Sequence, residues 1–172
     1  MKTTFKLSAL LLLLTAFSGC AARKQAGDGA AVSAALYEQA CKALDKRDFI
    51  IEGSEFYLPG KKSPVKSSSG SYISMHGDRA VIRLSPNLFS RVHWESLDIE
   101  DDSAELSEPE YKKNGDLCCR LKIRGVRFGQ EREVSMTLFK DTNKCFVRIN
   151  DERAGYDTNI IDFTGYLYPA RD

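Results

Sequence analysis

Three segments between residues 116 and 151 alternate between apolar and polar side chains. A period of two is typical of β-strands with one buried and one solvated face. The apolar positions are Leu117, Cys119, Leu121, Ile123, Val134, Met136, Leu138, Cys145, Val147 and Ile149. The intervening positions carry mainly charged, hydroxyl or amide side chains, among them Arg120, Ser135 and Thr137. This part of the chain therefore predicts adjacent strands of a half-solvated antiparallel sheet.

The same rhythm of short apolar runs and turn residues extends over most of the chain. Turn chemistry separates the runs, as at His76-Gly77-Asp78 and Asn114-Gly115-Asp116. The candidate strands are residues 49–58, 71–76, 79–85, 104–112, 116–125, 132–140, 144–151 and 158–168. Residues 61–70 are interpreted as a loop. We expect one mostly antiparallel sheet, curved or nearly closed, of about seven to nine strands.

One helix precedes the strands. Residues 33–48 carry apolar side chains at helical spacing, with Ser33 placed to cap the N-terminus. The apolar face of this helix is the expected cover for the apolar face of the sheet. The predicted fold class is α+β, with one N-terminal helix packed on a curved antiparallel sheet in a single domain of residues 33–172.

The first nineteen residues have the three parts of a secretory signal peptide. Lys2 and Lys6 precede an apolar run, residues 7–18, that is shorter than the roughly 20 residues a spanning helix needs. The run ends at Phe17-Ser18-Gly19-Cys20, which resembles the bacterial lipobox. We therefore predict a lipoprotein signal peptide over residues 1–19; the alternative is ordinary signal cleavage after Ala16-Phe17-Ser18.

Lipidation of Cys20 would anchor the protein to a membrane, which is its first expected partner. The small and polar residues that follow predict a flexible tether over 20–32. Ala21, where an aspartate would indicate retention in the inner membrane, favours the outer membrane facing the periplasm. Removal of residues 1–19 leaves 23 basic and 24 acidic side chains, so no basic field indicates nucleic-acid binding.

Export would bring the four other cysteines into an oxidising compartment, where disulfides can form. Cys119 and Cys145 share the apolar face but are expected on strands separated by a third, which is too far for a disulfide. A bridge from Cys41 on the helix to Cys119 or Cys145 is the remaining pairing, against buried thiols that act as small hydrophobic groups. No cysteine or histidine spacing indicates a metal site, and no cofactor is expected.

Few residues form a pattern that catalysis would need. His93 and Glu95 are the nearest approach to a base and its orienting acid, but neighbours on an extended chain point apart. An acidic cluster surrounds Ile99 without the spacing of a calcium loop, and we interpret it as a solvated charged loop. Its members are Asp98, Glu100, Asp101, Asp102 and Glu105. No catalytic residue is assigned.

Two stretches of the chain resemble a known family. The first comprises Ser71-Tyr72-Ile73-Ser74-Met75, Asp78-Arg79-Ala80-Val81-Ile82 and Leu84-Ser85-Pro86, and the second runs from Ile160 to Pro169. Both are similar to segments of the domain of unknown function 4251 family, whose members begin with a lipobox and a short helix. The likeness covers about residues 33–169. Residues 89–94 depart from it, because the family tends to have a glycine-rich segment there. The resemblance implies an uncharacterised Bacteroidetes envelope lipoprotein and supplies no catalytic residues.

These observations favour a lipid-anchored envelope protein without enzymatic activity, whose sheet or loops bind an envelope protein or a small ligand. The first alternative is a lipophile carrier with an apolar groove between sheet and helix. The second is a hydrolase of unfamiliar type that uses His93 and the acidic cluster.

Overall fold

The computed structural model describes residues 21–58, 61–66, 70–85, 97–124, 131–151 and 159–170. At residues 21–28, 97, 151 and 159 it describes the backbone alone. The predicted signal peptide and the residues Cys20, His93 and Glu95 lie outside the described part of the chain.

The described elements are one helix followed by eleven strands. They are α1 (Ala21–Asp45), β1 (Asp48–Tyr57), β2 (Val65–Lys66), β3 (Tyr72–His76), β4 (Arg79–Leu84), β5 (Leu97–Asp101), β6 (Glu105–Leu106), β7 (Glu110–Tyr111), β8 (Leu117–Arg124), β9 (Glu131–Leu138), β10 (Lys144–Asp151) and β11 (Asn159–Pro169).

Helix α1 begins twelve residues before the expected cap. The predicted start at Ser33 is wrong, and the stretch interpreted as a tether is helical from Ala21 onward. Alanine, lysine, arginine and glutamine favour a helix there, and its glycines each cost only about 1 kcal/mol relative to alanine. The Ser33 hydroxyl donates instead to the carbonyl oxygen of Asp141. The helix ends at Asp45, and Arg47 follows with a left-handed φ of 54°.

The strands form one antiparallel sheet that curls on itself. Nine strands follow one another in the order β5-β4-β3-β1-β11-β10-β9-β8-β6, while β2 pairs with β1 and β7 pairs with β8. The curl brings β5, the first strand of this order, close to β8, the last but one: Asp101 of β5 accepts a hydrogen bond from the backbone N–H of Arg124 in β8. The predicted architecture, one helix on a curved antiparallel sheet, is confirmed.

Strand boundaries differ from the prediction in three places. The acidic cluster, expected as a loop, contains β5, whose Ile99 is buried between paired acids. The expected strand over 104–112 is two short pairings, because Pro109 has no N–H to donate to a neighbouring strand. The expected loop over 61–70 includes β2.

The core lies between the concave face of the sheet and α1. Alternate residues of every long strand point inward, and Ala40, Ala43 and Leu44 of the helix cover them. Phe56 of β1 and Phe163 of β11 stack at the centre with ring centroids 4.9 Å apart. Because the inward side chains fill the space under the helix, the polar residues that alternate with them form the outer face of the sheet.

No helix in the described residues combines the length and the apolar character that crossing a membrane requires.

Candidate binding site

A depression lies on the outer face where β8 loses its regular neighbour. Strands β6 and β7 each pair with β8 over two residues, and residues 107–109 leave the ladder between them. Ser107 bridges this interval. Its N–H donates to the Arg120 carbonyl at 2.8 Å, and its hydroxyl accepts from the Arg120 N–H at 3.0 Å. The backbone of Arg120 is therefore satisfied and fixed, while its side chain points outward.

The depression has a volume of about 310 Å³ and opens to solvent. This is at the low end of the roughly 300–1,000 Å³ of small-molecule pockets. Its lining residues are Ser107, Glu110, Lys112, Cys118, Cys119, Arg120, Ser135, Met136 and Thr137. Most of these residues are polar, while the exposed surface that they form is mixed and slightly more apolar than polar. The depression therefore suits a small molecule that carries both polar and apolar groups.

The floor of the depression is set by the register of two strands. Arg120 lies opposite Ser135, and Cys118 lies opposite Thr137. The thiol of Cys118 and the hydroxyl of Thr137 are 3.4 Å apart, within reach of a hydrogen bond in which either atom can donate. Ser135, Thr137 and Cys118 therefore line the depression together with Arg120.

Charge pairing distinguishes Arg120 from the other arginines of the outer face. Four of those form ion pairs with nitrogen–oxygen distances of 2.8–3.3 Å: Arg79, Arg83, Arg124 and Arg148. Arg120 has no ion pair with any side chain in the described part of the chain. The guanidinium is thus an uncompensated charge beside a pocket.

The acidic cluster lies elsewhere on the outer face and is paired. Asp98 contacts Arg83 at 3.2 Å, and Glu100 contacts Arg79 at 3.1 Å. Arg83 also lies over the ring of Tyr72, 5.7 Å from its centroid. Asp101 is buried and accepts backbone hydrogen bonds. Among the described residues, no group of three or more histidine, cysteine or acidic side chains is arranged to hold a metal ion.

The four cysteines beyond Cys20 are all unpaired thiols. The bridge suggested from Cys41 to Cys119 or Cys145 stays a prediction, which alkylation can test. Burial raises the pKa of both Cys119 and Cys145 to about 12. Cys118 faces the depression and is partly exposed.

Sequence reasoning placed Arg120, Ser135 and Thr137 on the solvated face but did not identify them as a site. The alternation of the strands gave their orientation. It did not give the ion pairs, since these depend on which residue of the next strand lies opposite. Of the other predicted candidates, the structure does not describe His93 and Glu95, and it separates the acidic cluster from the depression.

Comparison with known proteins places the fold. No family model matches the chain, and no curated protein matches it. A crystal structure of a DUF4251 family protein from Bacteroides eggerthii matches with a TM-score of 0.65 and 19% sequence identity, covering 81% of this chain and 91% of that one. This protein has the fold of that DUF4251 protein. The family resemblance seen in the sequence is thereby confirmed at the level of the fold.

A shared fold carries no activity with it, since function resides in sites and not in the scaffold. The DUF4251 name itself denotes a domain of unknown function. The role of this chain must therefore be argued from its own depression and charges.

Proposed function

We propose that this protein is a lipid-anchored envelope protein that acts as a non-enzymatic binding module, with the depression around Arg120 as its binding site. The observation that supports this proposal most is an arginine without an ion pair among the described residues. It lines a depression of mixed polarity, on a face where Arg79, Arg83, Arg124 and Arg148 form pairs. An exposed guanidinium in a concave polar site is suited to recognise an anionic ligand.

The anchor in this proposal is the lipid on Cys20, which immediately precedes α1 in the sequence. From Ala21 to Ser33, where the helix first contacts the β9–β10 turn, a helix rises about 18 Å. The domain would then stand off a periplasmic membrane surface on a helix rather than on a coil. We assign it to the outer membrane because Ala21, and not an aspartate, follows Cys20.

The two alternatives receive less support. A lipophile carrier needs an apolar groove between sheet and helix, whereas in the described residues this space is filled by the core, including Leu44, Phe49 and Leu167. A hydrolase would depend on His93 and the acidic cluster. The acids of that cluster pair with arginines, except Asp101, which is buried.

The anchor is tested by growing the native host with radiolabelled palmitate. The wild-type protein should take up label and sediment with membranes, and Cys20→Ala should lose both properties. Cys41→Ser is the matched control, because it removes another cysteine and leaves the lipobox intact. Equal labelling of wild type and Cys20→Ala would contradict the anchor.

The binding role is tested by native mass spectrometry of protein purified from its host. We expect a retained polar molecule on the wild type that is lost in Arg120→Gln. Lys122→Gln should retain it, since Lys122 lies on the same strand outside the depression and the variant changes net charge equally. Retention of the molecule by Arg120→Gln, retention of an acyl lipid instead, or no retained molecule on any variant would overturn the proposed binding site.

A further inference from the structure

We infer that the ligand of the depression is a small monocarboxylate, held by the Arg120 guanidinium in a two-point hydrogen-bonded ion pair. This inference rests on the proposed function and adds the chemical class of the ligand. It is argued from the fixed position of Arg120, the donors around it and the charge balance of the lining.

The position of Arg120 favours a planar anion. Ser107 satisfies both backbone groups of Arg120, at 2.8 and 3.0 Å, so the root of the side chain is fixed on β8. A guanidinium presents parallel N–H donors that match the two oxygens of a carboxylate. Elsewhere on the sheet this pairing already occurs, because Arg148 donates to both oxygens of Asp162 at 2.8 Å. Arg120 offers the same fork, and no carboxylate of the described residues pairs with it.

The neighbours of Arg120 favour an oxygen-rich ligand. Ser135 lies directly opposite Arg120, and Thr137 lies one outward position further along β9. Both residues line the depression, and a serine or threonine hydroxyl can donate to ligand oxygens. A ligand that carries carboxylate, carbonyl or hydroxyl oxygens can use these donors together with the guanidinium.

The charge of the lining favours a single negative charge. Lys112 and Arg120 are cationic and Glu110 is anionic, so the lining carries one net positive charge. Glu110 has no ion pair with a described side chain and would repel a dianion such as phosphate. A monocarboxylate neutralises the excess charge and keeps its apolar or amide part near Cys118 and Thr137.

The volume limits the size of the ligand. About 310 Å³ accommodates a molecule of the size of a capped amino acid or a small hydroxy acid, and not a polysaccharide or a folded partner. N-Acetylalanine is therefore a suitable probe. N-Acetylalaninamide has nearly the same shape without the charge, and inorganic phosphate is an anion of different geometry and higher charge.

The experiment uses the mature protein purified from its host and labelled with ¹⁵N. N-Acetylalanine should shift the backbone amide signals of Ser107, Arg120 and Thr137 in a saturable way. Both the amide probe and the Arg120→Gln variant should weaken binding by about tenfold or more, the effect of one charge-assisted bidentate contact. Lys122→Gln should stay within about twofold of the wild type. An unchanged pattern of signals outside the depression would show that each variant is folded.

Three results would overturn the inference: equal binding of the acid and its amide, tighter binding of phosphate, or an unchanged affinity in Arg120→Gln. Absence of any saturable shift in the wild type would overturn it as well. If a host molecule is still retained in an Arg120-dependent way, the ligand class fails and the proposed function stands. If that retention is also absent, both fail.

Discussion

The carboxylate of Asp101, at the end of β5, accepts a hydrogen bond of 2.6 Å from the backbone N–H of Arg124, at the end of β8. Its other oxygen accepts from the N–H and the hydroxyl of Ser103, both at 2.9 Å. Asp101 is 6% exposed. Because β5 is the first strand of the strand order and β8 the last but one, this buried carboxylate links the two sides of the curled sheet.

Replacing Asp101 by alanine should lower the free energy of unfolding by about 1–3 kcal/mol, since the partly buried N–H groups of Arg124 and Ser103 would lose their charged acceptor. Urea denaturation at pH 7 measures the change. Asp98→Ala is the control: it removes an exposed acid of the same strand, paired with Arg83, and should cost less than about 1 kcal/mol. Equal losses in the two variants would show that Asp101 contributes no more to stability than the exposed Asp98.

The hydrogen bonds to Asp101 should also make the free energy of unfolding depend on pH. Burial raises the pKa of Asp101, but the hydrogen bonds from Arg124 and Ser103 outweigh it, and the pKa lies below the usual value of 3.8. A depressed folded-state pKa stabilises the protein above the unfolded-state pKa, and this stabilisation is lost as the pH falls through the folded-state value.

Denaturation curves between about pH 7 and about pH 2.5 test this dependence. Asp101→Asn should be less stable at neutral pH and should lose less stability on acidification than the wild type. Some acid dependence should remain, because hydrogen bonds and the charge of Lys112 also lower the pKa of Asp116. Parallel curves for wild type and Asp101→Asn would contradict the assignment.

Gly165 of β11 allows β1 to approach closely. A Cβ atom at this position would collide with the carbonyl oxygen of Glu52 on β1. Gly165→Ala should therefore lower the free energy of unfolding by about 1–3 kcal/mol, the usual cost of overpacking.

Gly29→Ala is the matched control for Gly165. Gly29 lies in α1, and a Cβ atom added there would meet open space, so its replacement should stabilise the helix by up to about 1 kcal/mol. Thermal denaturation of both variants would show opposite signs. A stable Gly165→Ala protein would mean that β1 and β11 separate at little cost.

The cysteines should differ sharply in reactivity. With the pKa of Cys119 and Cys145 raised to about 12, their thiolate fraction at pH 8 is about a thousandfold smaller than for a thiol of pKa 9.0. Alkylation with iodoacetamide and peptide mapping should therefore find Cys118 labelled well before either.

Urea provides the control for this labelling, because all four thiols should react at similar rates in the unfolded chain. Cys41 should also react in the absence of a reductant if no bridge forms. Rapid labelling of Cys119 or Cys145 in the folded protein would contradict their burial. Labelling of Cys41 only after reduction would restore the bridge that the sequence suggested.

Local patterns predicted most of the fold correctly. Leu117, Cys119 and Leu121 point inward as their alternation indicated, and Ala40 and Leu44 of the helix are buried in the same core. Such patterns are reliable because the spacing of inward-facing side chains is a local property of each strand or helix. The interpretation of the acidic cluster around Ile99 as a loop is wrong for β5, because its acids look solvated until Arg79 and Arg83 of the neighbouring strand are placed beside them.

The sequence by itself determined the long strands, the presence of the helix, their inward faces and the orientation of Arg120 toward solvent, since these follow from the period of each segment. Only the tertiary structure decided that Asp101 meets Arg124, that Gly165 lies against Glu52 and that Arg120 has no acid opposite it among the described residues. The physical reason is that register and curl bring together residues far apart in the chain, and no local period specifies which charges then become neighbours.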